Sequence, residues 1–409
     1  MVSRRFISLS TVVFCGPAAL MLPFLHATKK DTKPTFSREV SRIMQRKCQS
    51  CHRVDGVAPF ALLNYDQVKA KAQTIRAAVD SRRMPPWLAD PKYGKFENDR
   101  SLSSQERETL LAWLDSGLPK GEEKELPAPL KFPEKWSIGN PDLVIEMLET
   151  YTVPAEGVLP YKHFSIEPGF KEDRYIQFAE AHPGSKAVHH ILVYITMPGK
   201  PVYDLLGNTQ LVCGTAPGDS PTILPPDVGV KIPKGAKLLF EIHYTPTGKV
   251  EQDRSSIGMI FSKTQPKYVA NTNVMANLSI KIPANDANHK EEMAYSFPTD
   301  IRILSVMPHM HFRGKSFEYK IIHADGKSET ILSVPRYDFN WQSIYRFVEP
   351  IKLAKGDKIL CTAHWDNSKN NPANPDPSKS VVWGEQTWDE MMSGWLGYVV
   401  DDTRTAEKS

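Results

Sequence analysis

Two histidines alternate with apolar residues in the stretch MPHMHFRGK, Met307 to Lys315. Because side chains on a β-strand alternate between its two faces, His309 and His311 would project from the same face and could chelate one transition metal. The opposite face continues an apolar series made of Leu304, Val306, Met310 and Phe312. This period of two favours a strand over a helix. An isolated HxH pair is more often an accident of a polar strand face, so the pair gains meaning only from the remaining chain.

Length and composition predict several domains. A chain of 409 residues is too long for one ordinary core, and its 33 prolines, many in turn-like clusters, favour short strands and loops over long helices. From about residue 136 onward, short alternating strands between proline or glycine turns predict two all-β sandwiches. The net charge is only +4, with no block of lysine or arginine, so a nucleic-acid partner is not expected.

The first residues resemble an export signal. Arg4 and Arg5 precede an apolar run from Phe6 to Leu25, which is followed by Ala27 and a lysine-rich segment. This order is typical of a signal peptide over residues 1–27 and predicts an exported, periplasmic or extracellular protein. If the segment stayed uncleaved, it would anchor the protein to a membrane.

The stretch CQSCH contains Cys48, Cys51 and His52. Two cysteines separated by two residues and followed at once by histidine form the attachment pattern of a c-type haem, in which both thiols form thioethers and the histidine binds iron. A redox or zinc CxxC is the alternative, and the adjacent histidine together with the export signal favours haem.

Residues 34–121 are predicted to form a small all-α domain around this haem, resembling a class I cytochrome c. One helix is capped by Ser37 and ends near Lys47, a second covers about Tyr65 to Ser81, and a third begins at Ser103 with a capping box. Met84 lies between the last two, in the stretch MPPW, and is the predicted sixth ligand. A histidine–methionine haem suits electron transfer. Packing of Met84 in a core is the alternative.

Residues 122–139 are rich in charge and proline and are interpreted as a linker that leaves the placement of the helical domain free.

Three later stretches carry further candidate ligands. KAVHHILVYI contains His189 and His190, which can share an ion only at a strand end or a distortion, since neighbours on a regular strand face opposite ways. LLFEIHYTPTG places His243 opposite an apolar face, where it could complete a three-histidine site or simply be solvated. WGEQTWDEMMSGW offers Met391 and Met392, either as core residues or as a thioether ligand. Thioether together with imidazole favours copper, especially Cu(I).

The ordered set HH, H, HxH, M resembles the copper type II, ascorbate-dependent monooxygenases. The likeness covers about residues 140–400 and is carried by VHH at Val188 to His190, HYTPTG from His243, HMH from His309 with the following FRGK, and DEM at Asp389 to Met391. It implies two jelly rolls, over residues 140–278 and 279–403, that face each other across an open cleft.

The resemblance also implies the role of each ligand. His189, His190 and His243 would bind the copper that receives electrons. His309, His311 and Met391 would bind the second copper, the catalytic centre where O₂ is activated and a substrate C–H bond attacked. The DEM match selects Met391 over Met392. The electrons would come from ascorbate or another external donor, and the fused haem is expected to pass them to the first copper.

The chain departs from the peptide-amidating members of that family near the second copper. Those members carry an arginine two residues before the HxH pair, where this chain has Met307. Their asparagine and tyrosine after the ligand methionine correspond to Ser393 and Trp395. A small, more apolar organic substrate is therefore expected in place of a peptide.

Several alternatives remain open. Cys213 and Cys361 could form a disulfide between the jelly rolls or stay as two buried thiols. Beyond the leader, five histidines lie outside these motifs and are interpreted as structural or solvated: His163, His182, His289, His323 and His364. A haem and copper electron carrier without a substrate, and an extracellular jelly-roll binding protein, are the other candidate functions. The six filled ligand positions favour the enzyme.

Overall fold

The computed structural model describes residues 33–54, 56–133, 135–196, 209–215 and 221–401. The predicted leader, residues 1–27, lies outside the described residues. From Pro34 onward the chain forms one compact unit.

The helices of the described chain lie in the predicted cytochrome-like part, apart from one short turn in the predicted linker. They are a π-helical turn at Phe36–Val40, α1 (Ser41–Lys47), α2 (Tyr65–Ala70), α3 (Ala72–Asp80), α4 (Ser104–Asp115) and a 3-10 turn at Glu123–Glu125. Among the described residues, no helix combines the length and the apolar character needed to cross a membrane.

Strands make up most of the rest. In chain order they are β1 (Leu143–Glu146), β2 (Tyr151–Val153), β3 (Lys162–Ile166), β4 (Arg174–His182), β5 (Val188–Thr196), β6 (Thr209–Thr215), β7 (Thr222–Ile223), β8 (Val228–Ile232), β9 (Lys237–Tyr244), β10 (Glu251–Asp253), β11 (Ser256–Phe261), β12 (Tyr268–Ala276), β13 (Lys281–Ile282), β14 (His289–Tyr295), β15 (Ile301–His309), β16 (Gly314–Ile322), β17 (Ser328–Val334), β18 (Tyr345–Leu353), β19 (Lys358–Trp365), β20 (Val381–Val382) and β21 (Ser393–Val400).

The helix boundaries differ from the sequence expectation in two places. The first helical segment is capped by Thr35, not Ser37, because the Thr35 hydroxyl accepts the N–H of Arg38 at 3.3 Å and the π-helical turn begins earlier. The predicted second helix breaks at Lys71, whose φ of −109° and ψ of 10° leave the helical region. The capping box of α4 is confirmed, since Ser103 and Glu106 bond each other's backbone N–H groups.

The strands form two sandwiches, each with its own apolar core. In the first, the sheet β3-β9-β5-β6 packs on the strands β1-β11-β4-β8, and in the second, the sheet β14-β19-β16-β17 packs on β12-β21-β15-β18. Two-stranded pairs β2/β10 and β13/β20 lie beside them. The mainly β architecture therefore agrees with the predicted β-sandwiches.

One sheet is common to both sandwiches. Val228 and Gly229 of β8 pair in parallel with Tyr268 and Val269 of β12. This pairing joins the two sets of strands into one nine-stranded sheet, in which β7 pairs with β4. The two cores are thus connected by a continuous hydrogen-bonded ladder.

The strand that carries the HxH pair has a bulge that the sequence pattern did not reveal. Leu304 is the inserted residue, since Ile303 and Ser305 pair with consecutive residues of β21. Val306 and Met310 pack in the second core as expected, whereas Leu304 packs against the first core. A bulge breaks the simple alternation of faces, so Leu304 does not belong to the apolar face of Val306.

Of the two alternatives left open for Cys213 and Cys361, the disulfide between the jelly rolls is not formed. Cys213 is buried in the first core and Cys361 in the second. The structure therefore matches the alternative of two buried thiols, each packed in the core of its own sandwich.

The helical domain is attached to the second sandwich, contrary to the expected free placement. Residues 85–99, which are part of the connection between α3 and α4, are here called the docking loop. Its backbone pairs with β18: the Glu97 N–H donates to the Arg346 carbonyl at 2.9 Å, and the Val348 N–H donates to the Lys95 carbonyl at 2.9 Å. The rings of Trp87 and Phe96 pack against the second core. Backbone pairing together with aromatic packing fixes the position of the helical domain.

Candidate metal centres

The first histidine cluster lies at the start of β5 and the end of β9. A register shift between Val188 and His190 lets the adjacent histidines turn toward the same point, which is the distortion that their sequence requires. His243 faces them from β9, and one ligand nitrogen from each of the three lies within 4.8 Å of the others. The apolar face of β9 anchors this arrangement in the first core through Leu238, Phe240, Ile242 and Tyr244.

The nitrogens of this cluster lie close enough to one another to share one metal ion. The Nδ1 atoms of His189 and His190 lie 3.2 Å apart. The Nδ1 atom of His243 is buried and has no hydrogen-bond partner among the described residues. A buried polar atom without a partner is costly, and a shared cation would satisfy all three nitrogens.

Burial keeps these imidazoles neutral. It lowers the pKa of His243 to about 4, and it lowers the pKa of His190 strongly, helped by the neighbouring histidines. The pKa of His189 is lowered by burial as well. Neutral imidazole is the form that binds a metal, so the cluster is ready to bind one near neutral pH.

The second histidine pair lies where β15 ends. His309 is the last residue of the strand, and the ring of His311 lies 5.2 Å from its ring at an angle of 89°. Met310 between them is fully buried in the second core. The His309 Nδ1 donates to Gln342 Oε1 at 2.5 Å, and the His311 Nδ1 donates to the Asp389 carbonyl at 3.3 Å.

These bonds leave the Nε2 atom of each ring for another partner. The Nε2 atom of His311 is buried and has none among the described residues. Met391 lines the same cavity as both rings, whereas Met392 is fully buried in the second core. The structure thus brings His309, His311 and Met391 together around one cavity.

A buried carboxylate ties the two segments of this second site together. Glu390 accepts the backbone N–H of His311 at 2.9 Å and that of Arg313 at 2.6 Å, and it also accepts Trp365 Nε1–H at 3.0 Å. Its burial raises its pKa to about 7. Sequence reasoning passed over this residue, although it stands beside Met391 in the DEM motif.

Tyr337 fixes the residue between the two histidines. Its hydroxyl donates to the Met310 carbonyl at 2.8 Å and accepts the Met310 N–H at 3.1 Å. The backbone between His309 and His311 is therefore held from both sides. Nothing in the sequence around Tyr337 signals this role, because the contact spans 27 residues.

An aromatic ring lies between the two clusters. The Phe339 ring is 6.1 Å from that of His189, 6.4 Å from that of His243 and 6.0 Å from that of His311. The resemblance implies an open cleft between the jelly rolls. Here that space is partly filled by Phe339, so the two clusters are neighbours in one packed region.

A cavity of about 60 Å³ adjoins both clusters. His190, His309, His311 and Met391 line it, together with an apolar wall formed by Leu192, Tyr194, Met307, Ile344 and Trp395. Met307 and Trp395, the positions where the chain departs from the peptide-amidating pattern, are 6 % and 7 % exposed and share an apolar cluster. This wall is suited to apolar groups.

The same cavity has a polar end that the sequence analysis missed. His163, expected to be structural or solvated, lines the cavity and bonds Glu241 through its Nε2 atom at 2.9 Å. This bond raises the pKa of His163. Glu241 stands on the same strand face as His243, and that shared face was the signal available in the sequence.

The candidate haem ligands lie at the end of α1. The N–H groups of Cys51 and His52 both bond the Cys48 carbonyl, and the His52 Nδ1 donates to the Phe60 carbonyl at 3.0 Å. That bond leaves the Nε2 atom of His52 for iron, and the two thiols are not joined to each other. Met84 follows α3 and is half-buried. Its role as sixth ligand stays a prediction.

Comparison with known proteins supports a relationship to copper monooxygenases. Residues 268–407 match the family model described as "Copper type II ascorbate-dependent monooxygenase, C-terminal domain". The chain is also similar to the Homo sapiens protein called "Putative DBH-like monooxygenase protein 2", with 23 % identity over 292 residues. That alignment covers 63 % of this chain and 57 % of the relative's length.

Two solved structures show limited likeness. The major capsid protein P2 of bacteriophage PM2 aligns at a TM-score of 0.28 and 10 % identity, over 63 % of this chain and 99 % of that one. The structure of PNGF-II aligns at 0.29 and 10 % identity, over 62 % and 65 %. Neither TM-score supports a conclusion about function.

Proposed function

We propose that this chain is an exported copper-dependent monooxygenase that hydroxylates a small organic substrate with O₂. The observation that carries the proposal is the pair of inward-facing ligand sets. Three imidazoles converge within 4.8 Å on one side of Phe339, and His309, His311 and Met391 surround one cavity on the other. The family match over residues 268–407 supports the same reading.

The donor sets fit copper. Neutral imidazole suits copper, and a thioether added to two imidazoles favours Cu(I). The partnerless nitrogens of His243 and His311 are the atoms that two such ions would satisfy. Bound copper would supply one-electron chemistry and the activation of O₂.

The chain's own residues orient the ligands and receive the substrate. Gln342 and the Asp389 carbonyl hold the protons of His309 and His311 on Nδ1, so that both Nε2 atoms remain available. Met307 and Trp395 exclude water from one wall of the cavity, and Glu241 with His163 offers a polar end. We infer a compact substrate with an apolar body and one polar group.

The proposal includes a c-type haem in residues 34–121 as the source of electrons. Cys48 and Cys51 would hold the haem by thioethers, while His52 and Met84 would bind its iron. The bond of His52 Nδ1 to Phe60 supports this, since it fixes the tautomer that presents Nε2 to a metal. An external donor, ascorbate or another reductant, would reduce the haem, and the haem would supply electrons to a copper held by His189, His190 and His243.

A carrier that only transfers electrons would not need a cavity between its metal ligands. The cavity lined by Met307, Trp395 and the second-site ligands therefore favours the enzyme over the carrier. The two sets of converging metal ligands favour it over an extracellular binding protein.

Metal analysis followed by anaerobic reduction and O₂ addition tests the proposal. We expect one haem and two coppers per chain, with haem reoxidation by O₂ that depends on copper. The matched variants are Met391→Leu and Met392→Leu. Only Met391→Leu should remove the copper–sulfur signal in X-ray absorption and stop oxygen consumption. Equal loss in both variants, or haem reoxidation that is the same without copper, would contradict the assignment.

A further inference from the structure

We propose that the helical domain positions a ligand of the second copper site, through Asn98 of the docking loop. The inference rests on the proposed function, because it takes His309 to be a copper ligand. It does not depend on haem.

His309 is oriented from a segment that belongs to no sheet. Its Nδ1 donates to Gln342 Oε1 at 2.5 Å. Gln342 lies in residues 338–344, here called the bridging segment. This segment connects Tyr337 to the start of β18. The orientation of the His309 ring therefore depends on where this segment lies.

The docking loop holds the end of the bridging segment. Asn98 makes two bonds there: its Nδ2 donates to the Ile344 carbonyl at 2.7 Å, and its Oδ1 accepts the N–H of Arg346 at 3.1 Å. Ile344 is two residues from Gln342 and lines the cavity of the second site. A single side chain of the helical domain is thus joined to His309 through a short stretch of backbone.

Aromatic packing makes this attachment specific. The Trp87 and Phe96 rings lie 4.9 Å and 5.4 Å from the ring of Tyr345, which follows Ile344 and is buried. These rings shield the Asn98 bonds from part of the solvent, which strengthens them and makes their loss more costly.

His311 and the backbone of Met310 beside it have supports of their own. Glu390 and the Asp389 carbonyl hold His311, and Tyr337 holds Met310. The effect of the docking loop is therefore concentrated on His309. Asn98 is a positioning residue, since it acts only through Gln342.

Copper affinity of the second site measures this coupling directly. In a His243→Ala background, only the second site keeps its full ligand set, and competition with a chelator gives its affinity. Removing a supporting hydrogen bond of a metal ligand typically costs about 10–100-fold in affinity. We expect Gln342→Ala to fall in that range and Asn98→Ala to weaken binding about tenfold. Asn98→Asp, which keeps the acceptor for Arg346 but lacks the donor to Ile344, should lie between Asn98→Ala and the parent.

The matched control is Asn340→Ala. Asn340 lies in the same segment, and among the described residues its side-chain amide bonds Asp338 in the neighbouring turn. Copper affinity should be unchanged in this variant, and the copper EPR pattern should change only in the Asn98 and Gln342 variants. The inference would be overturned if Asn98→Ala had a lower unfolding temperature but an unchanged copper affinity. If Asn98→Ala does not fold, an unchanged copper affinity in Asn98→Asp would overturn it. Absence of copper from the wild-type chain would overturn the proposed function and this inference together.

Discussion

The carboxylate of Glu390 accepts the backbone N–H of His311 at 2.9 Å and so joins two ligand-bearing segments that are 79 residues apart. Replacing it by alanine would leave several buried donors without an acceptor, each at a cost of about 1–3 kcal/mol. We expect Glu390→Ala to lower the free energy of unfolding by about 2–4 kcal/mol and the copper affinity of the second site by about 10–100-fold. Denaturant unfolding and chelator competition measure the two effects. Glu349→Ala, at an exposed glutamate of β18, should change neither.

The metal-free protein should lose stability in acid. Burial depresses the pKa of His243 from its ordinary 6.5 to about 4 and also lowers those of His189, His190, His309 and His311. A depressed histidine pKa means that the unfolded chain binds more protons, so stability falls as the pH drops from 6.5 toward 4. His243 alone accounts for roughly 3 kcal/mol. Denaturant midpoints across this range test the expectation, and a flat profile would contradict it.

Glu390 should oppose this acid effect. Its pKa is raised from 4.5 to about 7, so its contribution to stability is present below pH 4.5 and is lost as the pH rises toward 7. As the pH is lowered, the free energy of unfolding of the metal-free protein should therefore fall more steeply in Glu390→Gln than in the wild type. The same dependence of stability on pH in both proteins would contradict the raised pKa of Glu390.

The hydroxyl of Tyr337 should matter for both stability and copper binding. Tyr337→Phe removes the group that bonds both the N–H and the carbonyl of Met310. We expect a loss of about 1–3 kcal/mol in the free energy of unfolding, because two buried backbone groups lose their partner. Weaker copper binding at the second site should accompany it. The control is Tyr295→Phe, at a tyrosine that is 40 % exposed, and it should change neither the free energy of unfolding nor the copper binding.

Phe339 should influence both metal sites at once. Phe339→Ala removes a ring that contacts His189, His243 and His311, and truncation of a buried phenylalanine costs about 3–5 kcal/mol. We expect the EPR signals of both coppers to change in this variant. The control is Phe312→Ala, which removes a ring 5.0 Å from that of Phe339. It tests for a general loss of packing, and the EPR signal of the first copper should be unchanged in it. If the EPR signal of only one copper changed in Phe339→Ala, the position of this ring between the two histidine clusters would be contradicted.

The sequence predicted the parts of the site that rest on local patterns. The period of two in β9 and the need for a distortion at His189 and His190 are local properties, and both match the structure. The capping box at Ser103 is local as well. The ligand positions themselves came from the resemblance, and the structure brings them together.

The supporting residues could not be predicted in this way. Gln342, Tyr337 and Glu390 reach the HxH pair from 27 to 79 residues away, and no pattern of spacing encodes such contacts. The bulge at Leu304 and the separation of Cys213 from Cys361 likewise depend on tertiary packing. The attachment of the docking loop could not be predicted because backbone pairing between segments so distant in sequence does not depend on a recognisable residue pattern.

The pairing of β8 with β12 has a consequence for how a substrate can enter. Val228 and Tyr268 lie on one ladder that passes from the first sandwich into the second, so the two halves cannot swing apart without breaking backbone hydrogen bonds. The distance between the two candidate metal sites is therefore constrained by this pairing. In the proposed monooxygenase, admission of a substrate would fall to side chains such as Phe339, Met307 and Trp395, and selection among substrates would be a matter of size as much as of chemistry.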